Sequence, residues 1–480
     1  MRLLFTLAII IVATTVSAQN NVGIKSDGSL PDSSAKLDIQ STTQGLLLPR
    51  LTTAQRNNMP KKAAGLLVYD TDKQTLYMYN GQTWTPLAAV TNNDLQAFGT
   101  GAVPGASFES FGCSVSISGD WAAIGAYGYD LPGKQDCGAV YLFQRTNGIW
   151  QQKQIITAAD AAASDRFGYS VCIDNNQLIT GAQLANTLTK TWAGAAYIFE
   201  NTGGTWTQKI KLQPGDAEDY DYFGTSVSIK NNFAVVGVPN DDGTGADQGS
   251  VYLYKHNAGP PDQWVFDRKI LGTLPAASDQ YGKSVAISAD YLVIGCPGRS
   301  SNTGYIAIRR WSDNWMSEQT FMHPNNQPGA QFGYSVAING FTIMAGAPGE
   351  TVNSLANRGR VYSYYNYAFW QQNGDILLPA GVAGERFGSS VAFANGFLVA
   401  GSPEKTVNGN LYQGETHLFK QLSVMPATVV WEYKRKIGLT NAGENEYWGK
   451  SVAIDGYNVI TASDQAQSYR GKVIFMNIEE

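Results

Sequence analysis

Phe223-Gly-Thr-Ser-Val-Ser-Ile229, the turn Asn231-Asn232, Phe233-Ala-Val-Val-Gly-Val-Pro239, a polar loop, Gly249-Ser-Val-Tyr-Leu-Tyr254 and then Trp264 make up the stretch that decides the fold. Three alternating apolar runs are visible, and a fourth follows the tryptophan. Each run is short and β-branched or aromatic, with turn residues between, which predicts four antiparallel strands in succession. The unit recurs. Its opening aromatic-Gly pair stands at Phe111-Gly112, Phe167-Gly168, Phe223-Gly224, Tyr281-Gly282, Phe332-Gly333, Phe387-Gly388 and Trp448-Gly449. Every copy continues x-Ser-Val, with serines at 114, 170, 226, 284, 335, 390 and 451. Trp150, Trp206, Trp264, Trp315, Trp370 and Trp431 each precede the next opening aromatic by 17 residues.

A period of 51 to 61 residues with four short strands per period predicts propeller blades. One blade cannot bury both faces of its sheet, whereas seven packed radially can. The fold class expected is therefore all-β: a seven-bladed β-propeller of four-stranded antiparallel blades over 93–480, behind a small β-rich N-terminal module over 19–92.

The aromatic-Gly pair at one end of the unit and Gly346-Ala347-Pro348 at the other resemble FG-GAP repeats. Gly237-Val238-Pro239, Gly295-Cys296-Pro297 and Gly401-Ser402-Pro403 are variants of the second motif. The resemblance covers about residues 105–480 and implies the propeller of integrin alpha subunits and of many bacterial surface proteins. Fold does not carry ligand with it. In integrins the calcium sites lie on an Asp-x-Asp-x-Asp-Gly loop between the first and second strands of a blade, here called A and B. In this chain that connection is a tight pair, as at Asn231-Asn232, Asn339-Gly340, Asn395-Gly396 and Asp455-Gly456. It is too short to wrap six to eight oxygens around an ion, so no metal site is carried over and no cofactor is expected. Asp241-Asp242-Gly243 with Asp247 has acidic character but lies between strands B and C without the alternating spacing. A solvated acidic loop is the preferred reading.

Residues 1–18 have the form of a secretory signal peptide: Met1-Arg2, an apolar run over 3–13, and Val16-Ser17-Ala18 before Gln19. No later stretch approaches the ~20 apolar residues of a transmembrane helix. A secreted or cell-surface protein is expected. Charged residues are only 15%, the net charge is −5 and no basic run occurs, so nucleic acid is not an expected partner. Between 19 and about 90, short apolar runs such as Gly65-Leu66-Leu67-Val68-Tyr69 and Leu76-Tyr77-Met78-Tyr79 predict several strands, with Asn80-Gly81 as a hairpin turn. This module resembles a leader found in secreted bacterial surface and fibre-like proteins, which implies presentation or assembly.

The repeat explains most candidates for chemistry. Serines at one blade position would need bases to act as nucleophiles, and His256, His323 and His417 occupy no equivalent positions. Structural hydrogen bonds are expected of them instead. Glu109, Asp165, Asp221, Asp279, Glu385 and Glu446 stand two before the aromatic-Gly pair. They could ring the channel for a cation or glycan, but their recurrence favours capping of turn N–H groups. Cys172 and Cys296 fill slots held elsewhere by small residues and read as packed thiols. Cys113 and Cys137 sit at loop ends of the first blade, and export permits a bridge between them. Strands A and C are about 9–10 Å apart, beyond the ~7 Å Cα limit, so this disulfide requires the loop to fold back.

Two function classes remain. One is a non-catalytic binding or adhesion protein recognising an extracellular protein or glycan. The alternative is a polysaccharide-acting hydrolase or lyase, which would need singular acidic, Tyr, His or Arg residues converging on the channel; no such cluster stands out. The B–C loops vary on a repeated frame, as recognition loops do, and mark their face as the ligand face. Its candidates are Tyr127, Tyr129, Trp192, Asp241, Asp242 and Tyr412. Finally, the last blade stops after strand C at Lys472-Val473-Ile474-Phe475. Counting 17 back from Phe111 places its missing strand at 94–99.

Overall fold

The computed structural model describes residues 22–25, 29–30, 34–43, 45–72, 75–79, 81–86, 96–98, 109–243, 245–259, 263–273, 275–424, 429–437, 442–466 and 470–478. The leader read at 1–18 lies outside them. Contacts divide the chain into two units, Met1–Thr91 and Asn92–Glu480.

In the first unit Val22–Lys25 pairs in parallel with Leu37–Gln40. A second sheet orders Arg50–Leu51, Leu67–Asp70, Thr75–Tyr79 and Trp84–Pro86. The last two strands pair antiparallel across 80–83, with Gly81 at φ +100°; Asn80 lies outside the described residues. Thr53–Asn57, within the module expected to be β-rich, is a helical turn. A capping box starts it: Gln55 N–H donates to Thr52 Oγ1 at 3.2 Å, and Thr52 N–H to Gln55 Oε1 at 2.9 Å. The turn delivers Arg56 into the interior, where its Nε donates to buried Asp70 at 2.8 Å and its guanidinium lies 3.6 Å over Tyr77. Removing one partner of such a pair strands the other's charge, at about 3–5 kcal/mol. Around this small centre Val22, Ile24, Leu30, Leu37, Leu46 and Leu47 remain exposed.

The second unit is all-β, built of four-stranded antiparallel sheets in propeller-like succession. In the third sheet strands A to D are Ser226–Lys230, Phe233–Val238, Ser250–Asn257 and Gln263–Ile270. Strand B is buried at every position, because neighbouring sheets cover both its faces. That explains its continuous run of small and β-branched residues. Strand D buries Trp264 and Ile270 and exposes much between, as an outer edge does. Cores lie between sheets, not within them: Trp121 and Leu178, from the first and second sheets, belong to one cluster, and Trp206 meets Trp121 edge-on at 5.5 Å.

The repeated motif has a mechanical reason. Gly224 turns at φ +93°, open to glycine at little cost, and this turn aims its carbonyl at the preceding sheet. There it accepts from Ser170 Oγ at 2.8 Å and passes over Gly181. A Cβ at Gly181 would lie 1.9 Å from that oxygen. Phe223 beside it is fully buried, worth about 1.5–3 kcal/mol, and its N–H donates to Ala193 O at 2.9 Å. The aromatic-Gly pair, the serine and the Gly of Gly-x-Pro are thus parts of one contact between adjacent sheets.

The contact recurs from sheet to sheet. Ser114, Ser226, Ser284, Ser335 and Ser390 donate to Gly168 O, Gly282 O, Gly333 O, Gly388 O and Gly449 O at 2.7–2.9 Å. Ser451 of the last sheet then returns to Gly112 O of the first at 2.7 Å. Phe111 bridges Gly471, and Phe143 and Phe475 share a core between those two sheets. The last sheet takes its fourth strand from ahead of the first: Gln96–Phe98 pairs antiparallel with Lys472–Asn477, Phe98 opposite Lys472 and Gln96 opposite Ile474. The 17-residue spacing located it.

Candidate functional site

In an up-and-down sheet the B–C and D–A loops share one face. The structure places the predicted residues there but sorts them differently. Trp192 is 39% exposed and stands edge-on to Tyr220 at 5.5 Å. Tyr412 is 42% exposed and stacks parallel on Tyr447 at 5.5 Å. In both pairs a B–C loop residue of one sheet meets a D–A loop residue entering the next. Tyr220 and Tyr447 were not singled out in the sequence, although both stand within three residues of an opening aromatic. Tyr129 is no ligand residue: it turns inward, 6% exposed, against Tyr141. Asp241 is also taken, accepting from Ser250 Oγ and Lys269 Nζ. Asp242 accepts from Asp247 N–H at 3.0 Å and so shapes its own loop.

Cys113 and Cys137 are both free thiols, so the bridge between them does not form. The loop does not fold back. Cys113 Sγ points to Gly168 O of the next sheet, while Cys137 Sγ points to Tyr129 O of its own loop, each at 3.3 Å. Burial pushes the Cys113 thiol up to about 12, which suppresses the reactive thiolate.

Three of the six recurring acids cap turns, while Glu385 faces Arg358 and Lys405 instead. Ala162, Glu218 and Ala276 donate N–H groups to Asp165, Asp221 and Asp279 at 2.7–2.9 Å. Glu109 accepts from Tyr141 OH, and Glu446 from Trp448 Nε1. The repeated serines give their protons to carbonyls, as described. The histidines are elsewhere: His323 is buried against Glu350 and Tyr362, and His256 stacks on Trp264 at 4.8 Å. His417 is buried, which holds its pKa down to about 3.

Two hollows run along the inner strands. The larger, about 520 Å³, opens among the A–B turns between strands such as Phe111–Ser118 and Ser451–Asp455. Short turns led us to expect little room there; the space comes from the separation of the A strands, not from loop length. Two of its three acids are committed: Asp174 accepts from Lys230 Nζ and Asn231 N–H, and Asp455 from Gly119 N–H.

The smaller hollow, about 250 Å³, lies at the opposite end, on the face of the B–C loops. Cys113, Tyr169, Thr225, Lys283, Tyr334 and Lys450 line it, joined by Tyr127 and Asp464. The first six are all the variable residue between aromatic-Gly and Ser-Val. Tyr127 and Asp464 stand in the slot that Pro239, Pro297, Pro348 and Pro403 hold in other sheets. Six of the seven variable residues and two of the three departures from that proline therefore converge at one point. Asp464 is 4% exposed, and its Oδ1 has no hydrogen-bond partner among the described residues. Burial pushes its pKa up against the pull of Lys450. Burial works to lower the Lys450 pKa, but Asp464 and the hydroxyls of Tyr334, Tyr169 and Tyr127 outweigh it, and the net change is a rise.

A family model described as FG-GAP repeat matches residues 102–143, 150–199, 206–254 and 264–305. A second, described as phage tail like trimerisation region, matches residues 23–98. No curated protein matches the chain. The serine-to-carbonyl contact continues unchanged through the sheets beyond 305. Residues 102–305 of this propeller-like array of four-stranded sheets are thus similar to FG-GAP repeats, and residues 23–98 to a phage tail-like trimerisation region.

Proposed function

We propose that this is an exported, non-catalytic binding protein. Its sheets form a closed seven-bladed propeller, and the face bearing the B–C and D–A loops recognises an extracellular protein or glycan. The observation that carries this reading is the pair of exposed aromatic couples, Trp192 with Tyr220 and Tyr412 with Tyr447, held between adjacent sheets on that face. Rigid, half-exposed aromatics supply contact area at small entropic cost and dominate binding hot spots. No catalytic step is assigned, since the serine hydroxyls are committed to carbonyls and the histidines stand apart from them. Export rests on the leader sequence.

A glycan array and a pull-down with the full chain identify the partner. Trp192→Ala and Tyr412→Ala are then expected each to weaken capture by about 1–3 kcal/mol with unfolding unchanged. Normal capture by both variants, with loss of capture on substitution in the A–B turns, would reverse the face.

The N-terminal unit presents the propeller in three copies. A two-stranded parallel ribbon cannot bury its own apolar side chains, and Leu46 and Leu47 are left to solvent beside it. Light scattering is expected to give a trimer mass, and Leu46→Ser with Leu47→Ser to shift it toward monomer. A monomeric parent chain would end this part of the reading.

A further inference from the structure

We propose that the 250 Å³ hollow on the B–C face binds an acidic sugar, a hexuronate, holding its carboxylate between Lys283 and Lys450 and a ring hydroxyl on Asp464. This rests on the binding-protein reading and names the ligand class of one site on the same face. Two ammonium groups and one carboxylate line the hollow, a surplus of one positive charge that a monoanion balances. Lys450 is offset by Asp464, whereas Lys283 makes no ion pair among the described residues, which leaves one ammonium for a ligand. Asp464 Oδ1 is a buried acceptor without a donor. Leaving such a group unsatisfied costs about 1–3 kcal/mol, and a hydroxyl donor removes that cost. A bare carboxylate offers Asp464 nothing and repels it, whereas a sugar acid brings both charge and hydroxyls.

The remaining wall fits the same chemistry. Tyr127 and Tyr169 sit 5.9 Å apart as tilted rings. Arg166 lies over the Tyr127 ring at 5.2 Å, and Tyr169 and Tyr334 add aromatic carbon and hydroxyl groups to the wall. The volume falls below the ~300–1,000 Å³ of drug-sized pockets, which suits a single ring. A chain end, and not the middle of a polysaccharide, is what would enter.

The test is titration calorimetry of the full chain with D-glucuronate, D-glucose, acetate and inorganic phosphate. Glucuronate is expected to bind, and glucose and acetate at least about tenfold more weakly, the worth of one charge-assisted hydrogen bond. Lys283→Gln and Lys450→Gln should each weaken glucuronate about tenfold, Lys450→Arg should retain most of it, and Asp464→Asn should narrow the preference for glucuronate over acetate. Ile149→Ser, an exposed residue at the C–D turn of the first sheet, should leave glucuronate binding intact. Unchanged thermal unfolding shows that each variant is folded. The proposal fails if glucuronate gives no heat, if its binding ignores both lysine substitutions, or if phosphate or acetate binds equally, which would leave a bare anion site. If glucuronate fails while the array or pull-down captures a partner, the site is wrong and the binding reading stands. If neither captures anything, both fall.

Discussion

Gly181→Ala is expected to unfold the propeller region at denaturant concentrations where the parent is native. The added methyl would sit 1.9 Å from Gly224 O, and its other close neighbours include Ser170 Oγ at 2.6 Å and the Gly224 carbonyl carbon at 2.8 Å. Two of these atoms are backbone, pinned by strand pairing on one side and by the Ser170 bond on the other, so no side chain can swing aside. Overpacking of this kind costs about 1–3 kcal/mol when neighbours give way, and here they cannot, so the loss should reach or exceed the upper figure. Against a typical stability of about 5–15 kcal/mol that is a large share. Gly215→Ala is the control, because a Cβ there meets nothing within 4 Å. Equal unfolding midpoints for the two variants would show that the contact between sheets is not the constraint described.

Deleting residues 91–100 should have the second large effect. It removes Gln96–Phe98, so Lys472–Asn477 becomes an open edge bearing unpaired N–H and C=O groups. A few ladder bonds at about 1 kcal/mol each already amount to several kcal/mol. The clasp between the two ends of the sheet array is lost as well. A lower melting temperature and concentration-dependent aggregation are expected. A melting temperature equal to the parent's would mean that the last sheet stands on three strands.

The repeat made most of the fold legible. Spacing alone located the strands, the tryptophan wedges and even the donated strand at 96–98, because sheets that pack identically need identical chain lengths between their contact points. The serines were read as structural for the same reason. What sequence reading missed lies where the repeat is silent. The residue after each aromatic-Gly pair varies, so Lys283, Tyr334 and Lys450 looked like noise until the strands brought them to one hollow. Asp464 and Tyr127 could have been found as losses of the proline in Gly-x-Pro, a signal that appears only once copies are aligned position by position. Loop aromatics were harder. Tyr127 and Tyr129 are two residues apart, yet one lines the hollow and the other is core, since the hydrogen bond from Tyr129 N–H to Ala126 O folds the loop inward. The helical turn at Thr53–Asn57 had its capping box in plain sight at Thr52 and Gln55, within the module expected to be β-rich.

The shared core of the first and last sheets bears on how the protein is made. Trp150 lies stacked on Phe475 at 5.1 Å, and Phe143 meets the same ring. Ribosomal synthesis delivers Phe475 more than 300 residues after Trp150. Throughout that interval the outward face of the first sheet has no partner, and the strand at 96–98 has nothing to pair with. An emerging chain therefore carries a sticky surface until the segment around Phe475 arrives. A holding chaperone that covers aromatic surface would serve this chain through that interval.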